Sequence, residues 1–202
     1  MKTHNLKGEI MKIDLSKAYD KVSWLYIHML LIYLGFGIAF VRRIMSCITI
    51  VSFSVLINGA ASPFFHAERG LRQGCPLSPL LFLLVAEGLS CLLLEAHRGG
   101  RLNDIDISQN QQITHLLFVD DVLIFCSRIV QDLNSLAEIL ALFSSAIGMK
   151  INERKSMFTT HRLDAAKVGH VAHCFPFIRV PLEDGLQYLG FYLKPNNYLK
   201  KD

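Results

Sequence analysis

Charge is scarce in this chain. Only 19% of its 202 residues are Asp, Glu, Lys or Arg, against 51% apolar. That balance excludes an intrinsically disordered segment, which needs low hydrophobicity and high net charge. Cysteine is also sparse. Cys47, Cys75, Cys91, Cys126 and Cys174 are scattered, odd in number and never at metal-finger spacing. A disulfide framework is thereby excluded, and the five read as reduced thiols of an intracellular protein, in nucleus or cytoplasm. His170-x-x-His173-Cys174 approaches a zinc cluster but has no partner pair, so it reads as an ordinary segment. Repeats, low-complexity tracts and long linkers are absent. The polar start, MKTHNLKGEIMK, lacks the apolar stretch of a signal peptide. Trp24 to Val41 is apolar apart from His28, yet Gly35 and Gly37 break its middle. It reads as two shorter core helices and not as a membrane span.

What remains is a chain of single-domain length with ample material for a core. Its mean hydropathy, +0.34, is high for a free-standing soluble domain. The net charge of +4 and pI of about 8.8 permit a nucleic-acid partner without demanding one.

The pattern of elements is mixed. Glu9 to Leu15 reads as a strand. Asp20 is a candidate N-cap for a helix running to about Leu34, with a second helix near Ala39 to Cys47. Ser52 to Ile57 alternates, Asn58-Gly59 signals a hairpin turn, and the return strand is expected near Phe64 to Ala67. A Gly- and Pro-rich loop, Gly70 to Pro79, precedes an apolar helix from about Leu80 to Ala96. Ile113 to Phe118 and Val122 to Cys126 read as strands with Asp120-Asp121 at their turn. Asp132 to Ile147 is amphipathic, with Leu133, Leu136, Ile139, Leu140 and Phe143 on one face and Gly148 as its cap. Short strands are expected near Ser156 to Thr160 and Leu186 to Leu193. This order implies an α+β fold, with helices on one face of an antiparallel sheet.

The chemistry starts at Leu116-Leu117-Phe118-Val119-Asp120-Asp121-Val122-Leu123-Ile124-Phe125. Two carboxylates inside an apolar run cost several kcal/mol, by rough estimate, unless paired. A hard divalent cation such as Mg²⁺ would supply the pairing; taken alone, the same two residues read equally well as a solvated turn. Asp14, at the end of a strand pattern, is a third carboxylate. Were its strand beside the Asp120-Asp121 hairpin, the acidic groups could share two metals about 3.5–4 Å apart, as in phosphoryl transfer.

Asp14 with Tyr19, then Gly70-Leu71-Arg72-Gln73-Gly74-Cys75-Pro76-Leu77-Ser78-Pro79, then Phe118-Val119-Asp120-Asp121, in that order, resembles reverse transcriptases, closest to those of non-LTR (LINE-type) retrotransposons. The Arg-Gln-Gly-Cys-Pro-Leu-Ser-Pro wording and Ala86-Glu87-Gly88-Leu89-Ser90 look like plant elements. Gly148 to Ser156 and Leu186 to Gly190 also fit the family order. The resemblance covers about Gly8 to Leu193.

It implies a polymerase palm, a ferredoxin-like antiparallel sheet with helices on one face, and an RNA-directed DNA polymerase activity. Asp14, Asp120 and Asp121 would be catalytic, with Asp121 the looser metal ligand. Asp14, Asp120, Asp121 and the Leu15 carbonyl would hold two Mg²⁺ ions, Mn²⁺ being a substitute. Ser16, Lys17 and Ala18 would offer backbone amides to a triphosphate. Tyr19 would exclude a ribose 2′-hydroxyl by steric clash. Gln73 would contact nucleotide and template, and Lys155 would be a cation near the pyrophosphate. Leu186, Gln187, Tyr188, Leu189 and Gly190 would grip the primer. RNA template, DNA primer and deoxynucleoside triphosphates are the implied partners, with no membrane. One departure is Val119, where the family usually has Ala. Fingers upstream and a thumb downstream are not seen, so residues 1–202 are expected to be a single palm excised from a polyprotein, weak or inactive alone. A non-catalytic nucleic-acid-binding remnant and a group II intron-type maturase are the alternatives.

Overall fold

The computed structural model describes residues 8–103, 105–108, 111–127 and 129–194. Strand β1 (Gly8–Ser16) is followed by helices α1 (Ala18–Lys21), α2 (Trp24–Tyr33) and α3 (Ile38–Thr49). Four two-residue strands come next: β2 (Ser52–Phe53), β3 (Leu56–Ile57), β4 (Ala60–Ala61) and β5 (Phe65–His66). Helix α4 (Leu77–Arg98) leads to β6 (Ile105–Ser108), β7 (Gln111–Ile113), β8 (His115–Phe118) and β9 (Asp121–Cys126). Helix α5 (Ile129–Ile147), β10 (Lys150–Ile151), β11 (Met157–His161), α6 (Ala165–Cys174), β12 (Ile178–Arg179), β13 (Leu186–Tyr188) and β14 (Phe191–Leu193) complete the order. The α+β class expected from the sequence is the one adopted.

The chain forms two compact units. One comprises Met1–Ser16, Ala86–Ser144 and Lys150–Asp202; the other comprises Lys17–Val85 and Ser145–Met149. The first is organised by a sheet of order β12-β11-β1-β9-β8, with β10 also on β1. All its pairings are antiparallel except β11 with β12. Strand β1 is central because its alternation suits one covered face. Glu9, Met11, Ile13 and Leu15 are buried, while Ile10, Lys12, Asp14 and Ser16 are half-buried. Helices lie on the covered face. His115, whose β9 partner Ile124 pairs with Met11, bonds Ser90 of α4 through Nε2 at 3.0 Å. Asp132 of α5 and the Cys174 thiol of α6 lie close enough to Glu9 to interact with its charge.

The second unit holds the helices and small hairpins. Asn58 and Gly59 both have positive φ (50° and 85°), the requirement of a tight two-residue hairpin turn, and β3 and β4 close on it. The expected return strand instead pairs an outer rung, β2 with β5. Asp20 caps nothing. Helix α1 ends at Lys21, fully buried Val22 takes an extended ψ of 126°, and Ser23 caps α2 by accepting from the Tyr26 amide at 3.3 Å. A hydroxyl nearer the apolar run displaced the carboxylate as cap. The segment from Trp24 to Val41 is split, as its glycines require, with Gly35 at φ 82° after α2. Among the described residues, α4 is the helix long and apolar enough to cross a membrane, and 44% of its apolar window is buried within the fold. Helix α6 and the β6–β7 hairpin have no counterpart in the sequence reading. In α6 the periodicity is interrupted by Gly169 and His170, although Asp164 does cap it through the Lys167 amide at 2.9 Å.

Candidate active site

The acidic residues come together through register. Strands β1 and β9 pair so that Asp14 lies directly opposite Asp121. Residues opposite each other in an antiparallel pair are about 4.5–5.5 Å apart and point to the same face. Asp120 precedes Asp121 in the two-residue turn that joins β8 to β9, closed by the Phe118–Asp121 pair. The sequence reading placed both acids in that turn; only Asp120 is there, because Asp121 is already a rung of the sheet. Val119, the other turn residue, has φ 56°. A β-branched side chain in the left-handed region is strained, so the departure from alanine falls at a stressed point of the backbone.

Asp14 is anchored by its main chain at both ends. Its amide donates to Ser156 Oγ at 3.1 Å, and its carbonyl accepts from the Asn152 amide at 2.9 Å. Ser156 is fully buried. Two like charges directly opposite each other destabilise a sheet, and a cation moderates the conflict: Lys12 Nζ lies 3.0 Å from Asp121 Oδ1. Neither Lys12 nor Ser156 was picked out from the sequence as a functional residue. The signal available for Lys12 was its period-2 spacing from Asp14.

Among the described residues, no group of three or more His, Cys, Asp and Glu is gathered tightly enough to enclose a metal ion. The donor set nonetheless fits a hard cation held openly. Mg²⁺ is commonly bound by one or two carboxylates, with waters and substrate phosphates filling the remaining positions. Leu15 is buried, as an inward strand residue must be.

The hairpin of β13 and β14 turns at Leu189 (φ 51°) and Gly190 (φ 83°). Leu186 is buried, Gln187 exposed and Tyr188 half-buried. Burial raises the Tyr188 phenol pKa above its ordinary value, and the Asp121 charge raises it further, which places this hairpin near the acidic end of β9. Lys155 is exposed, in a turn where its amide bonds the Asn152 carbonyl at 3.1 Å. It has no ion-pair partner among the described residues.

Tyr19 and Gln73 meet in the second unit. Strand β1 ends at Ser16, Lys17 turns left-handed (φ 53°, ψ 51°), and Ala18 begins α1. Such a left-handed residue leading into a helical one presents successive amides outward. The loop from Gly70 is clamped onto this segment. The Leu71 amide bonds the Tyr19 carbonyl (2.6 Å), the Gly70 amide bonds the Val22 carbonyl (2.8 Å), and the Trp24 indole bonds the Gly70 carbonyl (2.6 Å). The approach requires glycine: a Cβ on Gly70, at φ 88°, would sit 2.5 Å from the Asp20 carbonyl oxygen. Ser78 Oγ then donates to the Arg72 carbonyl at 2.6 Å, fixing the loop to the start of α4. An open cavity of about 460 Å³ results, lined by Tyr19, Gln73, Gly74, Cys75, Pro76, Ser78 and Pro79. Gln73 Nε2 donates to Asp20 Oδ1 at 3.3 Å. The Cys75 thiol is held below its ordinary pKa, chiefly by the Leu77 amide, with help from Ser78 and Arg72.

Residues 1–193 match the family model described as reverse transcriptase (RNA-dependent DNA polymerase). A Pol polyprotein from the type-1 retrotransposable element R2 of Popillia japonica is 30% identical over 158 residues, covering 77% of this chain and 25% of that protein. An uncharacterized mitochondrial protein of Arabidopsis thaliana is 52% identical over 67 residues, covering 33% of this chain and 55% of that protein. Among solved structures, telomerase from Candida tropicalis with a fragment of telomeric RNA superposes at TM-score 0.64 and 12% identity. It covers 94% of this chain and 29% of the telomerase, a likeness of fold. The chain thus spans from a quarter to about half of the length of these relatives.

Proposed function

This chain belongs to the reverse transcriptase (RNA-dependent DNA polymerase) family, and we propose that it is the palm of an RNA-directed DNA polymerase from a non-LTR retrotransposon. The observation that carries this reading is the β1–β9 register, which sets Asp14 opposite Asp121 beside the Asp120 turn. In the proposed reaction a DNA 3′-hydroxyl attacks the α-phosphate of a deoxynucleoside triphosphate on an RNA template. A phosphodiester bond forms, the α–β phosphoanhydride bond breaks, and pyrophosphate leaves.

Each residue has a physical task on this reading. Asp14 and Asp120 would hold divalent ions, Mg²⁺ by preference and Mn²⁺ in its place, with Asp121 and the Leu15 carbonyl as further oxygens. Bound ions would neutralise charge that develops on the phosphate oxygens. Amides of Ser16, Lys17 and Ala18 would receive the triphosphate. Tyr19 would stand where a 2′-hydroxyl would otherwise sit, and Gln73 would face the nascent base pair. Lys155 would supply a proton or positive charge to the pyrophosphate. The hairpin from Leu186 to Gly190 would hold the primer end. Catalysis on this account is positioning and charge neutralisation.

Primer extension on poly-rA/oligo-dT tests the proposal, with this chain grafted in place of the matching segment of a related polyprotein. Incorporation of dTTP is expected, and Asp14→Asn or Asp120→Asn should abolish it while RNA binding survives. RNA binding with no incorporation by the unmodified graft would favour a non-catalytic remnant. Incorporation indifferent to Asp14→Asn refutes the assignment.

A further inference from the structure

We propose that Lys12 is a positioning residue for metal binding. By pairing with Asp121 it weakens that carboxylate's hold on the ions and leaves Asp14 and Asp120 as the principal ligands. The inference rests on the function proposed above.

Residues two apart along a strand share a face. Lys12 and Asp14 therefore project together, and so does Asp121, the cross-strand partner of Asp14. The direct partner of Lys12 is Leu123, so the lysine reaches Asp121 along the diagonal, where backbones stand about 7–8 Å apart and only a long side chain closes the gap. Its ammonium ends 3.0 Å from Asp121 Oδ1, with side-chain exposures of 16% and 24%. A pair this sheltered is screened less than one on the open surface.

Among the described residues, neither Asp14 nor Asp120 has a cation within ion-pair distance. Of three carboxylates at one end of the sheet, one carries its own counter-charge and two do not. A divalent ion approaching Asp121 meets an ammonium already seated on Oδ1, whereas one binding Asp14 or Asp120 does not. Lys12 thus selects which acids ligate and, by repulsion, keeps the ions loosely held.

Mn²⁺ binding to this chain, read by electron paramagnetic resonance without nucleotide or template, tests the proposal. Lys12→Gln should free Asp121 and lower the half-saturating Mn²⁺ by roughly tenfold, the Coulomb effect of removing a charge ~6 Å from a divalent ion in water. Lys12→Arg should restore the original value. Asp121→Asn in the Lys12→Gln background should cancel the gain. A Lys12→Gln chain with an unchanged circular dichroism spectrum that binds Mn²⁺ no more tightly overturns the proposal. Weaker binding with a lower melting temperature, the signature of a purely structural lysine, overturns it as well. Asp121→Asn alone answers even where Lys12→Gln fails to fold: binding should weaken by about tenfold at most, the loss of one nearby charge, and a loss as large as that caused by Asp14→Asn overturns the proposal. The underlying function reading fails separately, when Asp14→Asn and Asp120→Asn both leave Mn²⁺ binding unchanged.

Discussion

The Tyr19 ring stacks on that of Phe82, with centroids 5.0 Å apart and planes 22° from parallel. Phe82 is fully buried in α4, so the tyrosine borders the cavity with one face already fixed. A steric gate works only if it cannot swing away, and on the proposed reading of Tyr19 this stack would hold it.

Sugar selection should therefore depend on both rings. In the grafted enzyme Tyr19→Ala is expected to admit ribonucleotides. Phe82→Ala should relax selection partially while costing about 3–5 kcal/mol of stability through the cavity it leaves. Incorporation of rUTP against dTTP, alongside a urea melt, measures both effects. Unchanged sugar selection in Tyr19→Ala would remove the gate assignment.

Asp14→Asn should separate stability from activity. The substitution removes one of two carboxylates placed opposite each other, so thermal stability should rise by about 0.2–1 kcal/mol. Primer extension in the graft should be lost. A variant both inactive and clearly less stable would show that Asp14 serves the fold instead.

Val119→Gly should stabilise the chain by about 1 kcal/mol. Valine at φ 56° is held in the left-handed region, which costs an L-residue roughly 1–2 kcal/mol and glycine almost nothing. The gain is reduced by the greater freedom of glycine in the unfolded chain. A rise in the urea midpoint at constant slope is the expected reading.

Glu9 should make stability fall as pH rises. Its side chain is buried, and among the described residues neither oxygen has a hydrogen-bond partner. Burial first, and then the charge of Asp132, push its pKa from the ordinary 4.5 to about 8. The folded state therefore binds a proton that the unfolded state has already released between these values. The contribution of Glu9 is fully present below about pH 4.5 and is lost as pH rises through about 8. Glu9→Gln should raise stability on the alkaline side by up to roughly 5 kcal/mol and flatten the slope across that window. Parallel pH profiles that differ only by a constant would dismiss the buried carboxyl as the cause.

Much of the site was legible in the chain itself, for reasons local to each residue. A pair of acids in an apolar run has to be accounted for wherever it folds. Gly70 and the prolines of its loop mark a backbone that must pass close to something, and Asn58-Gly59 can turn in few ways. The amphipathic stripe of α5 identifies its own buried face: Leu133, Leu136, Ile139, Leu140 and Phe143 are all inside. Elements with a broken period were illegible, as α6 was with Gly169 and His170 in its middle. The cap of α2 went to Ser23 because the buried Val22 interrupts the helix after α1, an effect of packing invisible to local propensity.

Sequence alone determined the mixed fold class, the family and the identity of the acidic, aromatic and loop residues, because spacing and chemistry are properties of the chain. Tertiary structure alone decided that Asp14 faces Asp121, that Lys12 claims one acid of three, and that Phe82 backs Tyr19. A period of two tells which way a side chain points, but not which distant strand or helix will lie beside it. That choice is made by burying Met11, Ile13, Val122 and Ile124 together, which fixes the register and carries the polar residues of the opposite face into place.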